Sequence, residues 1–216
     1  MLNNQDADEE DFSEAMELSS RHVSLEQFKK FEGYMAEIFT AFGMDTNTPS
    51  TLETPKRFVR AMFDITAGYE GDEKLLKVFE AEYRGDSSRR LSQVIEGPIR
   101  FFALCEHHAL PFYGDAYVGY IPDEKIIGLS KLIRLVRLFA KRFTVQERME
   151  EQIADTLQSV LQPHGAAVYL QAHHLCTEMR GVREHGAITR TMTWRGEYIT
   201  NATLRAEFYA AAGLQR

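Results

Sequence analysis

Two short clusters, Cys105-Glu106-His107-His108 and His173-His174-Leu175-Cys176, hold both cysteines and four of the seven histidines of the chain. They lie far apart in sequence. If they share a task, the fold must return the chain to one place from two distant elements. Cys105 and His108 have C-x-x-H spacing, which lets a thiolate and an imidazole on one tight turn converge on a metal. Cys176, with His174 beside it, can supply a third ligand. Three protein ligands with an open fourth position is the pattern of a catalytic zinc, whereas structural zinc sites close with four. A lone cysteine is more often a small buried apolar residue, but that does not explain two Cys/His clusters. A Cys105–Cys176 disulfide is the competing use of the pair, and the flanking histidines favour metal.

The rest of the chain sets the context for such a site. Its 216 residues, with 44% hydrophobic and 26% charged side chains, suit a single domain overall with a real core. No apolar run approaches the ~20 residues that span a bilayer. The N-terminus is acidic where a signal peptide is basic and then apolar. Unpaired cysteines fit a reducing compartment, so a cytoplasmic protein with no membrane partner is expected. The net charge of -7 has a local origin: residues 1–20 hold seven acids and no Lys or Arg. The remaining 25 acids balance the 25 basic residues. Residues 1–20 therefore read as an acidic, disordered tail. Neither part has the basic excess of a nucleic-acid binder.

Residues 21–90 read as an N-terminal helical region. Ser24, followed by Glu26 and Gln27, can cap a helix that carries Phe28, Phe31, Met35, Ile38 and Phe39. Thr51 or Thr54 opens a second helix, with Pro55 in its first turn. A short helix is expected around residues 73–79, then a charged loop. From residue 91 the period changes. Residues 91–105 and 114–121 read as strands, so the first cluster sits in the connection between two antiparallel strands. Two helices follow, the first with an apolar stripe of Leu129, Ile133, Val136 and Ala140. The second runs from about Val145, with Met149, Ile153, Leu157, Val160 and Leu161 inward. Residues 166–172 form a strand that delivers His174 and Cys176, residues 187–194 another, and Asn201 or Thr203 starts a closing helix. Residues 91–216 thus read as an α+β unit, ββααββ with an antiparallel sheet. The open edges of such a sheet must be paired or covered, and oligomerisation is one solution.

An open zinc site brings a water's pKa to ~7. His107 and His174, each adjacent or near to a ligand, are suited to acid/base work beside it. Basic residues suggest an anionic substrate. Ser130-Lys131 at a helix N-terminus is a plausible phosphate site, with Arg134 one turn on. Arg180 follows Cys176 closely, and Arg57 and Arg60 can join. Glu147 is chemically suited to accept paired N–H donors from a guanine-like edge, although a polar helix face explains it equally well.

Leu104-Cys105-Glu106-His107-His108, Pro111-Phe112-x-Gly114, Tyr120-Ile121-Pro122, Gly128-Leu129-Ser130-Lys131, Phe139-Ala140-x-Arg142 and Val145-Gln146-Glu147-Arg148, with Gln152-Ile153-Ala154, His174-Leu175-Cys176 and Arg180-Gly181-Val182, together resemble GTP cyclohydrolase I. The resemblance runs from about Glu53-Thr54-Pro55-Lys56-Arg57 to the closing helix. It implies a T-fold subunit in a toroidal homo-oligomer, usually a decamer, with active sites between subunits. It implies zinc as the cofactor, held by Cys105, His108 and Cys176, and His107 and His174 as acid/base groups. Gln146 and Glu147 match positions that hold substrate and guanine. Ser130, Lys131, Arg134 and Arg180 match ribose-triphosphate contacts, and Arg57 and Arg60 are similar to basic residues lent by a neighbouring subunit. The implied reaction hydrates C8 of GTP, releases formate and rearranges the ribose to give 7,8-dihydroneopterin triphosphate. That is the first step of pterin and folate biosynthesis.

Thr177 after Cys176, the additional His173 and the Thr189–Trp194 strand depart from the usual pattern, and none removes a matched residue. Two other readings stand beside the first. One is a T-fold paralogue acting on another purine or pterin, and the other a non-catalytic zinc-stabilised assembly. Retention of His107, His174 and Glu147 argues against the last, since a structural zinc needs none of them.

Overall fold

In the computed structural model, which describes residues 15–72, 78–80 and 92–214, one sheet organises the chain. Its long strands are β2 (Val94–Cys105), β3 (Pro111–Ile121), β6 (Gly165–His174) and β7 (Thr189–Gly196), all paired antiparallel in that order. A two-residue β5 (Phe143–Thr144) adds to the outer edge of β2 in parallel. Between β3 and β6 run α3 (Leu129–Ala140) and α4 (Gln146–Leu161), so the expected ββααββ order is present. A second, two-stranded sheet pairs β1 (Val78–Glu80) with β4 (Lys125–Ile127). The short helix expected over 73–79 is thus replaced at its end by strand, and residues 73–77 and 81–91 lie outside the described residues.

Both faces of the central sheet are covered, and this makes β6 apolar on both sides. Along β2 the core side carries Ile99, Phe101, Ala103 and Cys105, while Arg100 and Phe102 point outward. α3 and α4 lie on one face, where Phe101, Phe112, Leu132, Phe139, Met149, Ile153 and Leu170 belong to one buried cluster. The other face buries Tyr117, Tyr169, Tyr198 and Phe208. It is closed by α6 (Glu197–Thr200) and α7 (Ala202–Ala211), the latter capped by Asn201, whose side chain accepts from Thr203 and Leu204 N–H.

The inward stripe of α3 keeps the expected Val136 and Ala140 and differs at its other two positions. Leu132, Leu135, Val136 and Phe139 are buried, whereas Leu129 is 53% exposed and Ile133 only partly covered. The helix is apolar over most of its circumference, so periodicity offers two overlapping stripes. Docking on β2 selects between them. α4 behaves as read, with Met149, Ile153, Leu157 and Leu161 buried and Val160 packed beside them.

The N-terminal helices α1 (Leu25–Ala41) and α2 (Thr54–Ile65) form a hairpin held by edge-to-face contacts of Phe28 with Phe63 and Phe39 with Phe58. Ser24 and Gln27 complete the expected capping box. α1 contains no buried residue, and α2 buries only Pro55.

The end of the acidic stretch is docked on the body rather than solvated throughout. Met16 is buried, and its carbonyl accepts from the buried Arg142 guanidinium, which also donates to Gly68 O. Residues 1–14 lie outside the described residues.

Candidate active site

The turn between β2 and β3 is set by backbone bonds that leave its side chains free. Cys105 N–H donates to Leu110 O, and the Cys105 carbonyl accepts from His108 and Ala109. Cys105, at the strand end, is buried, and His108, on the turn, is exposed. Directly across the sheet, β6 ends at His174, and the single turn α5 (Leu175–Glu178) then lifts Cys176. Antiparallel pairing of Phe112 with His174 fixes the level at which the two clusters meet.

Among the described residues, one ligand atom each from Cys105, His108 and Cys176 lies within 4.8 Å of the other two. Cys105 Sγ is 3.6 Å from His108 Nδ1. A thiolate at about 2.3 Å and an imidazole nitrogen at about 2.1 Å from a shared tetrahedral centre stand about 3.6 Å apart. Two soft thiols and one imidazole favour zinc over magnesium or calcium. The donor set therefore fits a zinc ion. Burial, and after it the adjacent Cys105, hold the Cys176 thiol above its ordinary value. A bound cation acts in the opposite sense, since the thiolate is the form that binds.

His174, two residues before Cys176, is held on two sides. Its ring stacks flat on Phe112, with centroids 4.7 Å apart and planes 1° from parallel. Its Nε2 is 2.9 Å from Gln146 Oε1. The amide nitrogen of buried Gln146 donates to acceptors of β6 and β7, Leu170 O, Thr189 O and Thr191 Oγ1. With that side of the amide committed to acceptors, its oxygen faces the imidazole. His174 Nε2 then carries a hydrogen and Nδ1 is left as the acceptor. Burial first lowers the His174 pKa, and the charges of Glu147 and Glu178 oppose that shift.

His107 is exposed, its ring centroid 6.1 Å from that of His108 in an edge-to-face arrangement. Glu147, in the first turn of α4, is exposed and acts on His174 through its charge. Arg180 is exposed, and its charge bears on Cys176. Ser130 and Arg134 line a cavity of about 530 Å³ between α3 and residues 67–72, where Arg134 pairs with Asp72 at 2.8 Å. Lys131, half-buried, lies in the first turn of α3. Arg57 and Arg60 stand exposed on α2. Arg60 lies over the Phe28 ring of α1, and the Arg57 charge bears on Glu53.

Several partners were not legible in the motifs. Arg148 grips the Glu106 carboxylate with both terminal nitrogens, one at 3.0 Å, and that bond chiefly holds Glu106 below its ordinary pKa. The pair ties α4 to the C-x-x-H turn. His173 points away from His174: it stacks on Tyr113 and meets Glu178 at 3.0 Å, so the extra histidine braces α5. Strand alternation is the signal that separates the two histidines, because neighbours on a strand face opposite sides.

The family model described as GTP cyclohydrolase I matches residues 31–213. GTP cyclohydrolase 1 of Campylobacter concisus is 40% identical over 185 residues, covering 84% of this chain and 94% of that one. GTP cyclohydrolase 1 of Chlorobium phaeovibrioides is 44% identical over 77% of this chain and 73% of its own. The Porphyromonas gingivalis enzyme of the same name is 39% identical over 88% of this chain and 96% of its own.

Proposed function

The chain belongs to the GTP cyclohydrolase I family, and from that premise we propose that it uses zinc to convert GTP into 7,8-dihydroneopterin triphosphate and formate. It is a GTP cyclohydrolase. The observation that carries the finer reading is the meeting of Cys105, His108 and Cys176, from two clusters distant in sequence.

Cys105, His108 and Cys176 are the zinc ligands. A zinc ion held by these three residues would supply a Lewis-acidic charge able to acidify water. His174, fixed by Phe112 and Gln146, presents Nδ1 as a proton acceptor. Exposed His107, next to a ligand, is placed to return a proton to a ring nitrogen as the purine five-membered ring opens. Glu147 and Gln146 open α4 at this site, and the Glu147 carboxylate suits the paired N–H edge of guanine. Ser130, Lys131, Arg134 and Arg180 suit the triphosphate, which needs several cations and donors.

The same reading makes the subunit a T-fold in a toroidal homo-oligomer, with Arg57 and Arg60 offered to a neighbour's site. The hairpin of α1 and α2 supports it, since Phe31, Ile38, Phe58 and Ile65 are all more than a third exposed on a single chain. Apolar surface of that extent marks an interaction site.

The test is a steady-state assay of zinc-loaded protein on GTP, following formate and oxidised pterin in parallel, with His107→Ala as control. Both products, lost in the control, are expected. Formate without pterin would leave ring opening and remove the rearrangement. Neither product from folded, zinc-containing protein would remove GTP as the substrate.

A further inference from the structure

Among the described residues, the acid least exposed to solvent is Glu150, at 5% exposure, and its Oε2 has no hydrogen-bond partner. A buried carboxyl with an empty oxygen is costly to keep unless it serves something. Glu150 stands one helical turn after Gln146 on α4, so both side chains leave the same face. Between them comes Thr191 from β7. Its hydroxyl accepts from Gln146 Nε2 at 3.1 Å, and the Thr191 side chain bears on the Glu150 carboxyl, opposing the rise of its pKa. Gln146 Oε1 in turn meets His174. Thr191 and Gln146 thus stand between a titratable acid and the histidine two residues before Cys176.

We infer that Glu150 is a positioning residue, which acts through Thr191 and Gln146 to set how strongly His174 is held by its Nε2–H. The inference rests on the role given to His174 above. With Glu150 ionised, every donor points the same way. His174 N–H donates to Gln146, Gln146 N–H to Thr191, and Thr191 O–H to the carboxylate. Bonds in such a chain polarise one another, and a terminal negative charge strengthens them all. With Glu150 protonated that charge is gone, and the acid's own hydrogen competes for Thr191 Oγ1.

The carboxyl is placed to change state under working conditions. Burial pushes it up to about 7, with Glu147 and Glu151 on α4 adding to the shift and Arg195 of β7 opposing it. Arg195 is itself held by Asp155 at 2.6 Å. Of the other elements on α4, the stretch before α1 brings Glu17, which accepts from Gln152 at 2.7 Å, and β4 carries exposed Lys125, while β6 and α3 contribute apolar Val168, Leu170, Ala172, Leu132, Val136 and Phe139 to the buried cluster.

The test measures kcat and KM for GTP on the zinc-loaded full chain from about pH 5.5 to about pH 9, for wild type, Glu150→Gln and Thr191→Val. In the wild type an ionisation near 7 is expected in kcat. Both variants should lose that inflection and fall about tenfold in kcat at the alkaline end, with KM little changed. Thr191→Val retains the carboxyl and removes only the link, so it decides the matter even if Glu150→Gln fails to assemble. Variants that keep the wild-type inflection overturn the inference. A wild type that releases no formate at any pH overturns the reading of the site instead.

Discussion

His174 Nε2 lies 2.9 Å from Gln146 Oε1, while the Gln146 amide nitrogen lies 3.1 to 3.2 Å from acceptors on two strands. One buried side chain at the start of α4 therefore fixes both the tautomer of His174 and the seating of the helix on β6 and β7. Gln146→Ala leaves those acceptors without a donor, at a cost of about 1–3 kcal/mol in stability. It also frees the imidazole to rotate, and kcat should fall about tenfold to 100-fold. Thermal unfolding and steady-state kinetics on one preparation separate the two effects.

The ligand set predicts a metal-content result that needs no turnover. Cys105→Ala or Cys176→Ala should leave the chain folded, because the apolar cluster under the sheet does not depend on an ion, yet strip its zinc. Because thiol ligands bind as thiolates, zinc affinity should also weaken steadily on acidification. Elemental analysis after dialysis, beside far-UV circular dichroism, checks both. A variant that keeps its full zinc content would show that the removed thiol is not a ligand.

The grouping of Cys105, His108 and Cys176 was legible in the sequence because metal chemistry restricts residue type and spacing together. The Ser24 cap was legible because a cap is local. The stripe of α3 was not, since Leu129 and Leu132 are equally apolar and only docking separates them. Phe112, Thr191 and Glu150 were missed for the same reason: each acts across strands or from strand to helix, and no short motif encodes a cross-strand neighbour. Glu150 sits among charged residues in sequence and looks like one more surface acid, until the fold buries it.

Glu150 also predicts a pH dependence of stability. Its folded pKa, about 7, exceeds the ordinary 4.5, so the folded chain binds this proton more tightly than the unfolded chain does. The resulting stabilisation is full below pH 4.5 and is lost as pH rises through about 7. Glu150→Gln has no such proton to lose. Relative to wild type it should gain stability between acid and alkaline conditions, by at most on the order of 3 kcal/mol. Urea unfolding of both chains at several pH values tests this, and a difference that stays flat across the window would contradict it.

The exposed apolar residues of α1 and α2 predict assembly through that hairpin. Phe58→Asp should leave the sheet and the zinc site in place while breaking the oligomer into smaller species, because Phe58 is 41% exposed and its ring meets Phe39 within the hairpin. Sedimentation velocity reads the result. An unchanged oligomer would place the interface elsewhere.

Gly114 makes the last prediction, since it stands on β3 two residues from Phe112 and pairs with Ala172 of β6. A Cβ there would fall 1.8 Å from Gln171 O and 2.7 Å from Ala172 Cα. Both are backbone atoms, so no side-chain rotation relieves the clash and β6 must move off β3. That movement begins two residues from His174 and reaches the register that brings Cys176 to Cys105. Gly114→Ala should therefore lose about 3 kcal/mol or more and weaken zinc binding with it. Gly33→Ala is the internal comparison: nothing lies within 4 Å of its Cβ position inside α1. There the substitution should stabilise the helix by roughly 0.5–1 kcal/mol. Melting temperatures of the two variants should move in opposite directions, and zinc affinity should fall in Gly114→Ala alone. A Gly114→Ala chain that melts like wild type would mean that the close approach of β3 to β6 does not hold the two ligand clusters together.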